Sequence, residues 1–531
     1  MTEQIYFNGN IITMEPDSEP EAIFIRDGII EQLGTTTDLM KLKCANTQLI
    51  DLQGKTLMPA FIDPHSHISA LASTLAYVSL EGVKSFDEII ARLHTFKENK
   101  HLQSGEWIIG FGYDHNMLAE KKHPTKELFD SVFVDNPVMI SHASGHMGVT
   151  NSLGLAALQI TKDTPDPEGG HIGRMPGSEE PNGYLEETAF TSNSTKMPQL
   201  TLDQRCELLK EAQHIYLQYG ITTVQDGIVR DNDWEGLKEA ADRGQFIVDV
   251  IGYVDMKNSA NIVKNNPDYV KKSINRLKIG GYKIFLDGSP QGRTAWLSQP
   301  YEHAEDGYRG YPIYEDRDVE NFARIAYEEE LQLLTHCNGD AAAEQLIQSI
   351  ERVQEELTQA PNMRPVMIHA QTVRSDQVRR MKPIHMIPSF FIAHVYYWGD
   401  IHIDNLGMDR ASQISPAKTA IDENVVYTFH QDSPVVPPDM LHTVWCAVNR
   451  ITKQDVLLGD NERISPYDAL KGVTINAAYQ YFEEELKGSI KEGKLADLVI
   501  LDQNPLTIDP MKIKDIRIVQ TIKEGNTVYS L

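Results

Sequence analysis

The sequence predicts an α/β protein whose main body is a distorted (β/α)8 barrel, with a small β-sandwich domain attached. Three observations predict this class. Apolar β-like runs alternate with amphipathic helical segments through the centre of the chain, eight such runs can be counted, and short β-like runs bounded by turns occupy both ends. Strands that are apolar throughout are typical of a parallel sheet covered by helices, and a barrel of this type needs eight of them.

The predicted barrel strands follow one another in a regular order. The eight runs are PAFID, GITTVQDG, FIVDVIGYV, YKIFLDG, LQLLTH, PVMIHA, MIPSFFIAH and VVYTFHQD. Segments with the apolar spacing of amphipathic helices, such as VENFARIAYEEE and AAAEQLIQSIERVQEEL, lie between several of them. We therefore expect the barrel domain to occupy residues 58–484.

The two ends of the chain share a different pattern. Short β segments separated by Gly and Asn-Gly turn signals fill the first sixty or so residues, and GSIKEGKLADLVILD and IKDIRIVQTIKEGNTVYSL continue the pattern near the other end. The shared pattern predicts one composite β-sandwich domain, built from residues 1–57 and 485–531.

One connection in the barrel is too long to be a simple crossover. About 150 residues separate the first predicted strand from the second, whereas loops of more than about 15 residues are uncommon. The segment has its own β-like runs, EWIIGFGYD and NPVMISH, and a turn-rich stretch, TPDPEGGHIGRMPG. We interpret it as an insertion at about 70–218 and expect it to lie over the mouth of the barrel.

Composition and charge exclude several classes of partner. The chain has 49 Lys and Arg against 76 Asp and Glu, a formal charge of −27, which repels nucleic-acid phosphates and anionic lipids. No apolar run approaches the ~18 residues of a membrane span, and the first residues do not resemble a secretory signal. The four cysteines form no CxxC pair, which suits a reducing compartment. We expect a cytoplasmic protein with no nucleic-acid or membrane partner.

Histidine and aspartate side chains close several of the predicted strands. His65 and His67 are one residue apart at the end of the first run, so their side chains point to the same side and can share a divalent metal ion. His336, His369 and Asp432 close three other runs. The carboxyl ends of barrel strands carry the chemistry of such enzymes, so these five residues are candidate metal ligands.

A lysine inside the run GGYKIFLDG is the sixth candidate. Lys283 has apolar neighbours, where an unpaired ammonium is costly. It either forms an ion pair with Asp287, which has the same strand parity, or has a pKa lowered by burial and nearby cations. A neutral amine of the second kind reacts with carbon dioxide to give a carbamate, an anionic bridge between two metal ions.

The six candidate ligands, in this order on successive strands, resemble the ligand pattern of the amidohydrolase superfamily. The closing GSIKEGKLADLVILD is similar to the terminal β-sandwich segment of its two-domain members. FLDGSPQGRTA, SGHMGVTNS and SFFIAHVYYWGD resemble the branch that contains N-substituted formamide deformylases. The resemblance implies a distorted (β/α)8 barrel, a composite β-sandwich and one or two divalent ions, usually zinc. All six ligand positions are filled, which favours two metals and a carboxylated lysine: His65, His67, Lys283, His336, His369 and Asp432.

The function that this implies is hydrolysis of a non-peptide amide C–N bond in a small molecule. Metal ions lower the pKa of a bound water and polarise the carbonyl, and Asp432 transfers the proton to the departing amine. We expect His394, at the end of the seventh run, and His146, in the insertion, to contact substrate. His430 is expected to support the ligands, whereas five histidines in polar surroundings are expected to be solvated: His94, His101, His123, His171 and His303.

Two alternatives remain open at this point. The same scaffold supports deamination of an aminated heterocycle, although the stretch HCNGD, which begins at His336, lacks the helper Glu typical of such sites. A non-catalytic regulatory protein on this fold is the other alternative, although such a protein is expected to have lost metal ligands. The sequence leaves the physiological substrate and the metal identity open, and a homodimer is among the expected assemblies.

Overall fold

A computed structural model of the chain describes residues 2–142, 146–167, 169–194, 196–197 and 200–531. The chain forms two compact units, of which the first comprises Met1–Ser69 and Leu209–Leu531 and the second comprises Ala70–Leu208. The second unit is therefore continuous in sequence and interrupts the first. The predicted position of the insertion over the barrel mouth stays a prediction.

Strands and helices alternate through most of the first unit. The described strands, β1 to β23 in chain order, are Glu3–Phe7, Asn10–Ile11, Ala22–Arg26, Ile29–Gly34, Gln48–Asp51, Thr56–Pro59, Phe61–Ile62, Val78–Ser79, Ile108–Tyr113, Val138–His142, Met147–Thr150, Gly170–Arg174, Pro181–Glu187, Ile221–Val229, Asp249–Asp255, Leu277–Phe285, Gln332–Cys337, Val366–His369, Ile387–Phe390, Thr428–Phe429, Leu498–Leu501, Ile518–Lys523 and Asn526–Ser530.

The helices vary from one turn to several. In chain order α1 to α19 are Thr36–Leu39, Ile68–Thr74, Phe86–Asn99, Lys126–Asp130, Ser152–Ala157, Thr188–Ser194, Leu202–Gln218, Asp231–Asp242, Asn261–Asn265, Asp316–Glu328, Asp340–Glu356, Ser375–Met381, His394–Tyr397, Gly399–Leu406, Met408–Ala411, Ala417–Asp422, Met440–Asn449, Pro466–Gly472 and Ile475–Gln480. Within the described ranges, none of these helices combines the length and the low polarity needed to cross a bilayer.

An eight-stranded sheet forms the centre of the first unit. Its strands lie in the order β7, β14, β15, β16, β17, β18, β19 and β20, and each pairs in parallel with the next. Each of the eight predicted runs overlaps one of these strands, which are buried over most of their length because helices follow them in the chain. The α/β class is confirmed, and the parallel sheet in sequential order fits a TIM-like barrel.

The end of the seventh predicted strand is corrected by the structure. Strand β19 ends at Phe390, and His394 is the first residue of helix α13 rather than the last residue of a strand. The backbone turns between them, because the N–H of His394 donates to the carbonyl of Phe391 at 3.0 Å. The apolar run continues through this turn, so it does not show where the strand stops.

Strands from both ends of the chain form two further sheets. One has the order β4, β3, β1, β5, and the other has the order β2, β6, β21, β22, β23, in which β6 pairs antiparallel with β21. Tyr6 and Ile23 from the first sheet share an apolar cluster with Leu498 and Ile522 from the second. These sheets belong to the same compact unit as the parallel sheet, and the domain boundaries 1–57 and 485–531 stay a prediction.

A buried ion network joins these terminal strands to the parallel sheet. Asp249, the first residue of β15, accepts hydrogen bonds from the ammonium groups of Lys487 and Lys523. Lys523, in β22, also donates to Asp497 at 2.6 Å. Because buried charges are costly unless paired, this network fixes the position of β22 against the start of β15.

The second unit contains a six-stranded sheet of its own. Its strand order is β12, β13, β11, β10, β9, β8, with β9 and β10 parallel and β10 and β11 antiparallel. Buried apolar residues from its strands and from helices α3 and α4, among them Ile108, Ile140, Leu93 and Phe129, form its core.

Candidate metal centre

The six predicted ligands lie at or just beyond the carboxyl ends of five strands of the parallel sheet. His65 and His67 follow β7, Lys283 is near the end of β16, His336 is in β17, His369 ends β18 and Asp432 follows β20. Neighbouring strands hold them in register, since Phe285 pairs with His336 and Cys337 pairs with His369. The six side chains therefore meet at one edge of the sheet.

Three of the six converge on a single point. Nε2 of His65 lies 3.3 Å from Oδ1 of Asp432, and Nε2 of His67 lies 3.1 Å from the same oxygen. This oxygen is buried and forms no hydrogen bond to any described residue. Ligand atoms about 2.0 Å from one tetrahedral ion lie about 3.3 Å apart, so the spacing fits a shared divalent cation.

The protonation state of His65 follows from its contact with Gln225. The amide Nε2 of Gln225 donates to the carbonyl of Pro64 at 2.6 Å and to the hydroxyl of Tyr481 at 3.0 Å. Its Oε1 must therefore accept the hydrogen bond from Nδ1 of His65, at 2.6 Å. The proton of His65 is on Nδ1, and the lone pair of Nε2 faces Asp432, as a metal-ligating histidine requires.

His336 and His369 form a second pair of imidazoles. Nδ1 of His336 lies 3.1 Å from Nε2 of His369, whose Nδ1 lies 3.2 Å from Nε2 of His430. His430 is in turn held by the hydroxyl of Ser389 at 2.9 Å. Burial lowers the pKa of His336 to about 4 and holds the pKa of His369 well below its usual range. Both rings are therefore neutral at pH 7 and able to bind metal.

Lys283 is buried against these imidazoles. Its Nζ lies 3.5 Å from Nε2 of His65 and 5.3 Å from the centre of the Phe285 ring. Burial lowers the pKa of Lys283 to about 7, although the charge of Asp432 raises it in part. A large fraction of the side chain is therefore a neutral amine near neutral pH.

Asp287, the alternative partner of Lys283, forms its hydrogen bonds with the backbone. The carboxylate of Asp287 accepts hydrogen bonds from the backbone N–H groups of Trp296 at 3.0 Å, Asn338 at 2.9 Å and Gly339 at 2.7 Å. These bonds fix the loops that follow β16 and β17. The geometry thus directs Asp287 to the backbone and does not favour the ion pair with Lys283.

The rings of His65 and His67 leave no room for a side chain at Gly227. A Cβ atom at this position would lie 2.5 Å from Cε1 of His65 and 3.0 Å from Cε1 of His67. We expect Gly227→Ala to displace both rings and weaken metal binding by about 10–100-fold, the usual effect of losing support around a ligand. Competition for Zn²⁺ with a chromophoric chelator measures this. Gly34→Ala, where a Cβ has space, is the control, and equal affinities would show that the ring positions do not matter.

His394, a predicted substrate contact, is buried in an aromatic cluster. Its Nδ1 lies 3.0 Å from Nε2 of His402, and its ring packs 4.6 Å from Phe391 and 4.5 Å from Trp398. The Phe391 ring lies 6.2 Å from the ring of His369, so this cluster adjoins the candidate centre.

His146, the other predicted substrate contact, is in the second unit. Its side chain is exposed, and its Nδ1 lies 2.9 Å from a carboxylate oxygen of Glu187. Its contact with substrate stays a prediction.

A second polar cluster in the insertion was not predicted. Asp114, His115 and His142 place ligand-type atoms close together within the second unit. The expectation that His123 is solvated is wrong, because its ring is partly buried and its Nδ1 lies 2.9 Å from the hydroxyl of Tyr113. The sequence does contain a signal for this cluster, because Asp114 and His142 are the last residues of the β-like runs EWIIGFGYD and NPVMISH.

The parallel sheet and the cluster of imidazoles, lysine and carboxylate at its carboxyl edge are typical of metal-dependent hydrolases built on a barrel. The model of a family described as "Amidohydrolase family" matches residues 48–529. The chain belongs to this family. It is a hydrolase that acts on carbon–nitrogen bonds, and its family implies a divalent metal ion.

Relatives and solved structures agree with this membership. The chain is 28% identical over 545 residues to "Putative amidohydrolase YtcJ" of Bacillus subtilis, covering 99% of both chains. It is 25% identical to "N-substituted formamide deformylase" of Arthrobacter pascens, covering 100% of this chain and 98% of the relative. It also resembles the crystal structure of an uncharacterized metal-dependent hydrolase from Pyrococcus furiosus, with 26% identity and a TM-score of 0.76 over 95% of this chain and 100% of the other.

Proposed function

We propose that this protein is a two-metal hydrolase of N-substituted amides with a small acyl group, N-substituted formamides included. The observation that supports this most directly is the buried Oδ1 of Asp432, which has two imidazole nitrogens beside it and no hydrogen bond among the described residues. An acceptor-only oxygen facing a lone pair is unfavourable unless a cation lies between them. The residues present thus fit the metal that the family implies.

In this proposal the donors divide between two ions. His65, His67 and Asp432 would hold the first ion, His336 and His369 would hold the second, and a carboxylated Lys283 would contribute to both. Imidazole nitrogens with carboxylate-type oxygens suit Zn²⁺. Bound ions of this kind lower the pKa of water and polarise a carbonyl.

Lys283 is proposed to carry a carboxyl group. The neutral amine attacks carbon dioxide, a C–N bond forms, and one proton is released, which leaves an anionic carbamate. A pKa near 7 supports this step because only the neutral amine is a nucleophile. The carbamate would replace a buried ammonium by an anion that two cations can share.

Asp432 is proposed as the proton carrier. Its position beside the two histidines allows it to accept a proton from the attacking water as the new C–O bond forms. It then donates that proton to the amide nitrogen as the C–N bond breaks, so the amine leaves in its neutral form.

The substrate is proposed to bind mainly through its nitrogen substituent. A formyl group offers little surface, whereas Phe391 and Trp398 next to His394 provide an apolar wall beside the centre. We therefore expect uncharged N-aryl, N-benzyl or N-alkyl amides to be preferred, and bulky anions to react poorly with a chain of charge −27.

A series of formamides tests this preference. With the acyl group fixed, kcat/KM is expected to rise about fourfold for each methylene added to the nitrogen substituent, since each buried CH₂ contributes about 0.8 kcal/mol. His394→Ala is expected to lower kcat/KM and flatten the series, whereas His385→Ala, at an exposed position, leaves both unchanged. A flat series in the unmodified protein, or a preference for aminated heterocycles, would favour deamination instead.

The remaining proposals concern the domains, the cellular location and the assembly of the protein. We propose that residues 1–57 and 485–531 form one β-sandwich domain, because strands from both ends share a sheet and an apolar cluster. No disulfide joins the cysteines of the described residues, which supports the proposal of a reducing, cytoplasmic location. The homodimer is retained as a proposal that sedimentation would test.

A further inference from the structure

We propose that the second unit contains a metal site of its own, in which Asp114, His115 and His142 bind a divalent transition-metal ion such as Zn²⁺. All three residues lie within the insertion, and none of them belongs to the centre at the edge of the parallel sheet. The proposal does not depend on the substrate or on the number of metals in that centre.

Strand pairing brings the three residues together. Asp114 and His115 directly follow β9, and His142 is the last residue of β10, its parallel neighbour. The pairing register shifts between Ser141 and His142, so that His142 lies opposite Tyr113. Such an irregularity redirects a side chain at the end of a strand, and here it turns His142 towards the residues that follow β9.

Two of the three distances between the donor atoms match a tetrahedral metal site, and the third is longer by a few tenths of an ångström. Nδ1 of His115 lies 3.3 Å from Nε2 of His142, and Oδ1 of Asp114 lies 3.5 Å from Nε2 of His142 and 3.9 Å from Nδ1 of His115. Ligands about 2.0–2.2 Å from one ion in a tetrahedral arrangement are about 3.3–3.6 Å apart. Two imidazole nitrogens and one carboxylate oxygen form a donor set that zinc uses.

Neighbouring groups hold two of the donors in place. The backbone N–H of Asn116 donates to Oδ1 of Asp114 at 2.8 Å, which fixes the carboxylate. The ring of His123 packs against that of His115 with 4.0 Å between ring centres and a tilt of 31°, and His123 is itself held by the hydroxyl of buried Tyr113. Supporting contacts of this kind orient metal ligands in proteins. The competing explanation is a triad joined only by hydrogen bonds, with no ion.

The test uses full-length protein in which both ion positions of the other centre have been emptied by His65→Ala, His67→Ala, His336→Ala and His369→Ala. Titration of this variant with Co²⁺, followed by visible absorption, and competition with Zn²⁺ are expected to show one remaining equivalent of bound metal. Adding His142→Gln or Asp114→Asn is expected to lower the affinity at least about 100-fold, because removing a ligand exceeds the effect of removing its support. His171→Gln, at an exposed histidine of the same unit, is the matched control and is expected to leave the affinity unchanged.

Two results would overturn the proposal. One is the lack of any cobalt band in the emptied protein, which would favour the hydrogen-bonded triad. The other is equal affinity of the His142→Gln and His171→Gln proteins. Since His142 lies in a strand, circular dichroism checks that its variant is folded, and His115→Gln repeats the test at a residue outside the sheet.

Discussion

Replacing Lys283 by alanine is expected to leave a folded protein that has lost most of its metal and its activity. The substitution removes the amine that we propose to carry the bridging carbamate, and it leaves the buried imidazoles without an anion between two ions. Metal affinity is expected to fall at least about 100-fold, since even the loss of supporting groups costs 10–100-fold. Metal analysis and kcat on the same samples measure both effects, and short carboxylic acids are expected to restore part of each.

Lys278 provides the matched control on the same strand. It is also buried, but it donates to the carboxylate of Glu483 and to the carbonyl of Tyr481, away from the centre. Lys278→Ala is expected to lower Tm, because it removes one of the two ammonium groups that pair with the buried carboxylate of Glu483, while metal content stays normal. If the Lys283→Ala protein kept its full metal content and its full kcat, Lys283 would not bridge the two ions.

The same lysine predicts a pH dependence of metal loading. Only the neutral amine reacts with carbon dioxide, and the pKa of Lys283 is about 7. Loading of metal-free protein in bicarbonate buffer is therefore expected to be poor below this pH and to rise as the pH increases through about 7. A loading curve that is flat across this range would show that carboxylation does not control it.

The second large effect is expected for Asp432→Asn. Asparagine keeps the size and one oxygen of the side chain but cannot accept the proton of the attacking water. We expect kcat to fall by roughly 10²–10⁴, the contribution usual for general acid–base catalysis, in samples that retain metal. Stopped assays with metal content measured in parallel separate the loss of the proton carrier from the loss of a ligand.

A second buried aspartate at the same edge of the sheet is the comparison. Asp287 is bonded to three backbone N–H groups, and burial raises its pKa to about 7. Asp287→Asn is expected to lower Tm and to change kcat far less than Asp432→Asn. Near-normal kcat in metal-loaded Asp432→Asn would instead assign the base to another residue.

The sequence predicts the parallel sheet because each of its strands is a short apolar run. Such runs mark strands well but mark their ends poorly when the following turn is also apolar. The turn between Phe390 and His394 contains Phe, Ile and Ala but neither Gly nor Pro, so nothing in the pattern separates the strand from helix α13. The strand end, and with it the position of His394, could be found only from the backbone hydrogen bonds.

Five of the six candidate ligands could be predicted from a single rule, that active residues lie at the carboxyl ends of parallel strands, and Lys283 from its apolar neighbours. The contacts that support these ligands could not be predicted from the sequence. Gln225 contacts His65 across 160 residues of sequence, and no local pattern carries that information. The cluster in the insertion was missed for a related reason, since neither of its two runs shows that β9 and β10 are parallel neighbours.

Tyr481 contacts the residue that follows β7, the first strand of the parallel sheet, and this contact can form only late in synthesis of the chain. Its hydroxyl donates to the carbonyl of Asp63 at 2.7 Å and accepts from Gln225, although 418 residues separate Tyr481 from Asp63. At roughly 5–20 residues per second, a ribosome needs about 20–80 seconds to make that stretch. Until Tyr481 emerges, Gln225 lacks one of its two acceptors and keeps only the carbonyl of Pro64. The full set of contacts behind His65 is therefore complete only after almost the whole barrel sequence has been made.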